Sequence, residues 1–299
     1  MRPFIDMILG IVFVIISSLI YGVEPSIRAL AFETGVTPVA SMELSCFVFL
    51  VLCAMVCLLR RINLRIPWRD QLQLFLIGGL GLGTTSILLA SSYQYIPVGF
   101  ATVIHFMYPT LVCVAMAVLF HNRLTLPKLL AMACSIIGLT CICGDSIYGS
   151  ITGIVLALCS SMTYVFYLIM TEKSRTASLP LEIRLFYIAL GCLAAALLCG
   201  IFDRSGHVWS GREVLYITGC GVMTFIAGYC FAAGIYRIGA SSAAFFSLFE
   251  PITSLVFSTL LYHYAFTERT IIGCIISLVA IVLVCIGNAR EAKLEQCVC

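Results

Sequence analysis

The chain has 299 residues, of which 62% are hydrophobic and only 10% charged, with a formal net charge of +3 and a mean hydropathy of +1.10. Soluble domains run at roughly 45–50% apolar and 25% charged, so no water-soluble core could hide this much apolar surface, and lipid must be the solvent for most of it. The small net charge, spread without a basic stripe or tail, excludes nucleic acid as a partner.

Ten apolar segments can be read in chain order, at 8–31, 37–59, 72–94, 97–120, 127–144, 149–171, 181–202, 213–236, 240–263 and 269–287. The first is uncharged from Met7 to Val23, longer than a secretory h-region, and Glu24 and Arg28 interrupt the approach to Ala29-Leu30-Ala31. It therefore reads as a retained membrane helix rather than a signal peptide. In the third segment, Gly78-Gly79-Leu80-Gly81-Leu82-Gly83-Thr84-Thr85 lacks the lysine and the soluble strand of a phosphate loop, and close helix packing explains it better. Segments three and four join in a short hairpin at Pro97, matched later by a turn at Gly239.

The second half restates the first. Gly10-Ile11-Val12, Ser17-Ser18 and Tyr21 recur as Gly153-Ile154-Val155, Ser160-Ser161 and Tyr164, an offset of 143 residues, and Pro109, Thr125 and Ser135 recur as Pro251, Thr267 and Ser277 at an offset of 142. Five segments per half is an odd number, so the second copy enters the membrane from the opposite side. The expected architecture is an all-α membrane protein of ten transmembrane helices in two inverted five-helix repeats, 1–147 and 148–288, with a cytoplasmic tail over 289–299. Charge supports this topology. With the N-terminus inside, Arg2, Arg60, Arg61, Arg65, Arg69, Arg123, Lys128, Lys173, Arg175, Arg184, Arg237, Arg290 and Lys293 face the cytoplasm, and Arg28, Arg204, Arg212 and Arg269 lie outside. Trp68 and Trp209 fall near segment ends, where interfacial aromatics belong.

Intramembrane carboxylates cost several kcal/mol unless paired or used. Glu24 and Glu250 are such groups, each directly before a proline, Pro25 and Pro251. Pro25, Pro109 and Pro251 are expected to break their helices and to free the carbonyls of Tyr21, His105 and Ser247. On the repeat alignment Glu24 maps onto Tyr167 and Glu250 onto Tyr108, so each half supplies a carboxylate where the other supplies a tyrosine. These four are expected to line one central site, the carboxylates holding a proton or a substrate ammonium and the rings giving cation–π contacts. For Glu24 the alternative is an ion pair with Arg28, one turn on, near the outer interface. His105 is a candidate proton relay or a helix-to-helix hydrogen bond. Tyr21, Tyr93, Tyr164 and Tyr229 are candidate lining residues, and Arg184 reads as a snorkelling interface residue. The sixteen cysteines lie mostly singly in apolar runs, as small hydrophobes do. Cys297-x-Cys299 reads as an exposed tail with incidental thiols. No metal motif or nucleophile–base pair occurs, so neither a cofactor nor an enzyme activity is expected.

Ala90-Ser91-Ser92-Tyr93-Gln94-Tyr95-Ile96-Pro97-Val98-Gly99, through Tyr108-Pro109 to Arg123-Leu124-Thr125, resembles the EamA type of the drug/metabolite transporter superfamily. Its usual pattern is an A-x-x-Y-x-P-x-G/A hairpin, a mid-helix proline and a G-E-R-L-T end. Ala233 to Ala240, then Glu250-Pro251, is similar, and Tyr21-Gly22 resembles the family's aromatic-Gly pair. Asn122 and Tyr264 replace the glutamates of the G-E-R ends. The resemblance implies two inverted repeats and alternating access to small metabolites. The expectation is a proton-coupled exporter of an amino acid or amine in the cytoplasmic membrane, with the bilayer, protons and a small molecule as partners and a homodimer left open. An uncoupled facilitator is the alternative, and a membrane scaffold or intramembrane enzyme a more distant one.

Overall fold

In a computed structural model of the chain, residues 2–96, 98–122, 124–143, 150–202, 209–262 and 267–298 are described. Pro97, Arg123, Arg204, Tyr264 and Cys299 lie outside them. The described chain is all helical: α1 (Arg2–Phe32), α2 (Pro38–Leu59), α3 (Trp68–Leu76), a π-helical stretch (Ile77–Gly83), α4 (Thr84–Ser92), α5 (Val98–His105), α6 (Tyr108–Phe120) and α7 (Leu126–Cys143) form the first half. The second holds α8 (Ile151–Lys173), a 3-10 turn (Arg175–Ser178), α9 (Leu181–Phe202), α10 (Gly211–Phe246), α11 (Phe249–Tyr262) and α12 (Glu268–Val298).

Among the described residues, seven helices are long and apolar enough to cross a bilayer, and less than half of each apolar window is buried inside the protein. Leu58, Leu59, Val118, Leu215 and Leu260 are among the large apolar side chains left on the outside. A surface of that kind belongs in lipid. The fourth segment departs from one continuous helix. It consists of α5 and α6, separated at Phe106-Met107, and Pro109 sits in the first turn of α6, where its missing N–H costs nothing. The eighth and ninth run into one another as α10, and the direction changes at Gly239, whose φ of 77° and ψ of 160° only glycine adopts freely. A second break at Ser247-Leu248 precedes α11, so Pro251 also falls in a first turn.

Two expectations about proline need correction. Pro25 does not break α1, which stays helical through it; its ring faces outward and is exposed, so the helix loses one N–H without a collision against a neighbour. Nor is the Ser247 carbonyl left free, because it accepts the Glu250 backbone N–H at 2.9 Å.

Glycines set the helix contacts, and they do so twice. A Cβ on Gly10 would lie 2.6 Å from Ile238 Cγ2, and one on Gly153 would lie 2.7 Å from Ile96 Cγ2. Since Ile96 and Ile238 are repeat mates, the first helix of each half packs against the third segment of the other. The π stretch meets α9 with the same economy of bulk: a side chain on Gly78 would collide with the Ile188 backbone, and one on Gly191 with Phe75 and Gly79. Close approach through glycine explains the run at 78–83, as small residues do between membrane helices. The wide π turn is stitched by Thr84, whose hydroxyl donates to the Gly79 carbonyl five residues back at 2.8 Å. At the C-terminus α12 continues to Val298, beyond the apolar run, because Ala289 to Gln296 are strong helix formers.

Candidate functional site

The two helix breaks face each other. Tyr108 opens α6 and Ser247 lies in the turn before α11, and the Tyr108 hydroxyl is hydrogen-bonded to Ser247 Oγ across 139 residues of sequence, both groups buried. Ser247 Oγ in turn donates to the Ala244 carbonyl at 2.7 Å. On the other side of Tyr108, α8 supplies Tyr164, edge-on at 4.6 Å between ring centroids. Tyr164 stacks on Tyr167 at 5.7 Å and on Phe231 of α10 at 6.5 Å. His105, the last residue of α5, lies 5.4 Å from the rings of both Tyr108 and Tyr164, and its Nδ1 is 3.0 Å from Ser160 Oγ.

Glu250 occupies the first turn of α11, where the free N–H groups and the helix dipole favour a negative charge. It lies within electrostatic reach of Tyr21, Tyr93, Tyr108, Tyr164 and Glu24. Helix α1 comes this close because Gly22 has no side chain: a Cβ there would lie 2.6 Å from Thr253 Cβ and 2.7 Å from the Glu250 carbonyl. Glu24, two residues on, is not a lone carboxylate. Arg28 grips it through Nε at 2.9 Å and through Nη2, and turns its remaining Nη1 to Ser41 of α2. The pair is largely buried rather than spread on the outer interface.

Each half of the chain therefore brings a broken helix to one site, with carboxylate, tyrosine and histidine gathered at the breaks. Residues 8–144 and, again, 151–286 match the EamA-like transporter family. The chain belongs to that family. The EamA-like fold is shared with a solved crystal structure at a TM-score of 0.78, with 20% identity, covering 94% of this chain and 98% of the other. A curated relative from Archaeoglobus fulgidus, described as an uncharacterized transporter, is 26% identical over 200 residues, covering 65% of this chain and 71% of its own length. The chain is thus a multi-pass membrane transporter built from two EamA-like repeats.

Within this EamA-like architecture, one expected lining residue lies elsewhere. Tyr229 precedes Phe231 by two positions, about 200° around a helix, and so faces away from Tyr164. Its hydroxyl donates to Glu182 Oε1 at 3.4 Å, which also receives Arg60 at 2.6 Å. Arg184 is likewise not a snorkelling side chain. It is buried and donates to the carbonyls of Thr171, at 2.6 Å, and Ala177, at 3.2 Å, closing the C-terminal end of α8.

Two contributors escape sequence reasoning, the Ser247 hydroxyl and Glu172, and a third, Ser160, is marked only by the repeat. Ser160 and Ser247 orient His105 and Tyr108; the repeat did flag Ser160, through its mate Ser17, and Ser247 is the mate of His105. Glu172 at the end of α8 accepts the Ala240 backbone N–H, capping the half-helix that begins after Gly239. A charged residue near a segment end carries no sequence mark of that task.

Proposed function

We propose that the transporter carries a small polar metabolite, an amino acid or amine, outward across the cytoplasmic membrane by alternating access, with ten crossings and both termini inside. The observation that supports this reading is the Tyr108–Ser247 hydrogen bond between the two helix breaks, one in each repeat, with Glu250 in the helical turn that follows. Non-helical backbone at membrane depth is tolerable only beside protein or a wet passage, and inverted-repeat transporters bind their cargo at such breaks. Proton coupling falls to Glu250, because Glu24 is already balanced by Arg28. A proton and a cationic cargo then compete for one carboxylate.

The sign of the pH effect follows. Acid discharges Glu250 and removes the counter-charge of a bound cation, so cation binding weakens as pH falls. The groups facing it are Glu24, Tyr21, Tyr93, Tyr108 and Tyr164, with Arg28 held by Glu24. In proteoliposomes, an inside-acid gradient is expected to drive uptake of amines, and Glu250→Gln to lose roughly tenfold or more of that uptake, about 1.4 kcal/mol, together with its pH slope. Wild-type uptake and slope in Glu250→Gln would sink the coupling role. Downhill flux that no pH gradient drives would mark an uncoupled facilitator.

A further inference from the structure

We infer that the site between the two broken helices receives an organic monocation whose polar atoms are all hydrogen-bond donors, and rejects ligands that carry a carboxylate. This rests on the transport reading above and names its substrate class. The reason is hydrogen-bond polarity. A serine hydroxyl has one hydrogen. That of Ser247 is committed to the Ala244 carbonyl, at 2.7 Å, which can only accept. The Tyr108 hydroxyl, bonded to the same Oγ, must therefore donate to it, and its phenolic oxygen keeps only lone pairs to offer.

Ser160 repeats the arrangement. Its hydrogen goes to the Ala157 carbonyl at 2.7 Å, so His105 Nδ1, 3.0 Å from that Oγ, is the donor. In the neutral ring Nε2 is then the acceptor. Two serines thus turn two amphoteric groups into acceptors, Tyr108 and His105, the latter with its ring 5.4 Å from both Tyr108 and Tyr164. Glu250 is an acceptor too. The basic group nearby, Arg28, has its charge balanced by Glu24 and four of its five N–H groups turned to Glu24, Ser41 and Met42, so it offers an anion little. An ammonium meets lone pairs, ring faces and one unbalanced negative charge. A carboxylate meets the same lone pairs beside the like charge of Glu250, with only the first-turn N–H groups of α11 and the hydroxyls of Tyr21 and Tyr164 left to bond it.

An amino acid and its decarboxylated amine differ only in the group in question. Thermal stability of the purified full-length protein is therefore compared with tryptamine against tryptophan and phenethylamine against phenylalanine. At least one amine is expected to stabilise with an apparent Kd roughly tenfold or more below that of its parent. Ser247→Ala, which frees the Tyr108 hydrogen to turn toward a ligand, is expected to narrow that ratio. Should Ser247→Ala not fold, Tyr108→Phe keeps the ring and is expected to weaken the amine and not the amino acid. Equal or tighter binding of the amino acids, no stabilisation by any amine, or a ratio unmoved in the folded variant overturns the inference. An amine bound with this preference but not moved by proteoliposomes would overturn the transport reading and leave the cation preference standing.

Discussion

Glu24 and Arg28 stand one turn apart on α1, and their ion pair separates the roles of two carboxylates that look alike in sequence. Both are glutamates directly before proline in an apolar run, yet only Glu24 has a cation within hydrogen-bonding distance among the described residues. A buried pair of this kind contributes little net stability, but losing one partner strands the other charge. Arg28→Met is expected to destabilise by about 3–5 kcal/mol, and Glu24→Gln with Arg28→Met to recover most of that loss. Unfolding in detergent measures both; a double variant as unstable as the single one would contradict the pairing. The spacing of four made this ion pair legible as one of two readings. The partners of Tyr108 and His105 were not legible, since Ser247 and Ser160 lie 139 and 55 residues away and reach them only through packing.

At the scale of elements, proline and glycine signals were present in the sequence, and context decided what each did. Pro109 and Pro251 begin half-helices, while Pro25 rides inside α1 with its ring facing outward. Gly239 makes the turn its position suggested, and it does so in a conformation closed to other residues. Gly239→Ala is expected to cost about 1–3 kcal/mol from backbone strain alone. Glu172→Ala, which removes the cap on Ala240, is expected to cost about 1 kcal/mol. Because the half-helix from Ala240 to Phe246 is mostly buried and leads straight to Ser247 and Glu250, both variants should also weaken amine binding. Thermal unfolding beside a binding titration checks this; Gly239→Ala as stable as wild type would remove the strain argument. The glycine run at 78–83 announced close packing, but its π-helical form depends on how α9 approaches it.

For the whole molecule, the duplication argued a fold of two halves, and the reciprocal contacts of Gly10 with Ile238 and Gly153 with Ile96 are its physical expression. The halves are also tied by charge at one end, Arg60 to Glu182 and Asp70 to Arg175, each at 2.6 Å. These residues fall on the side that the distribution of Lys and Arg assigns to the cytoplasm. A reporter active only in the cytoplasm is expected to work when fused after Cys299 and to fail when inserted between segments five and six; the reverse result would invert the topology.

Composition, apolar run length and repeat spacing are one-dimensional quantities. They were enough to determine that this protein lives in lipid, that its chain is duplicated, and that glutamates beside prolines mark its interior. Tertiary structure alone decided which glutamate is neutralised, that Tyr229 turns away while Phe231 turns in, and which atoms of Tyr108 and His105 remain to accept a hydrogen bond. Those outcomes depend on side chains of distant segments meeting within about 3 Å, the range over which hydrogen bonds act, and no local pattern encodes such a meeting.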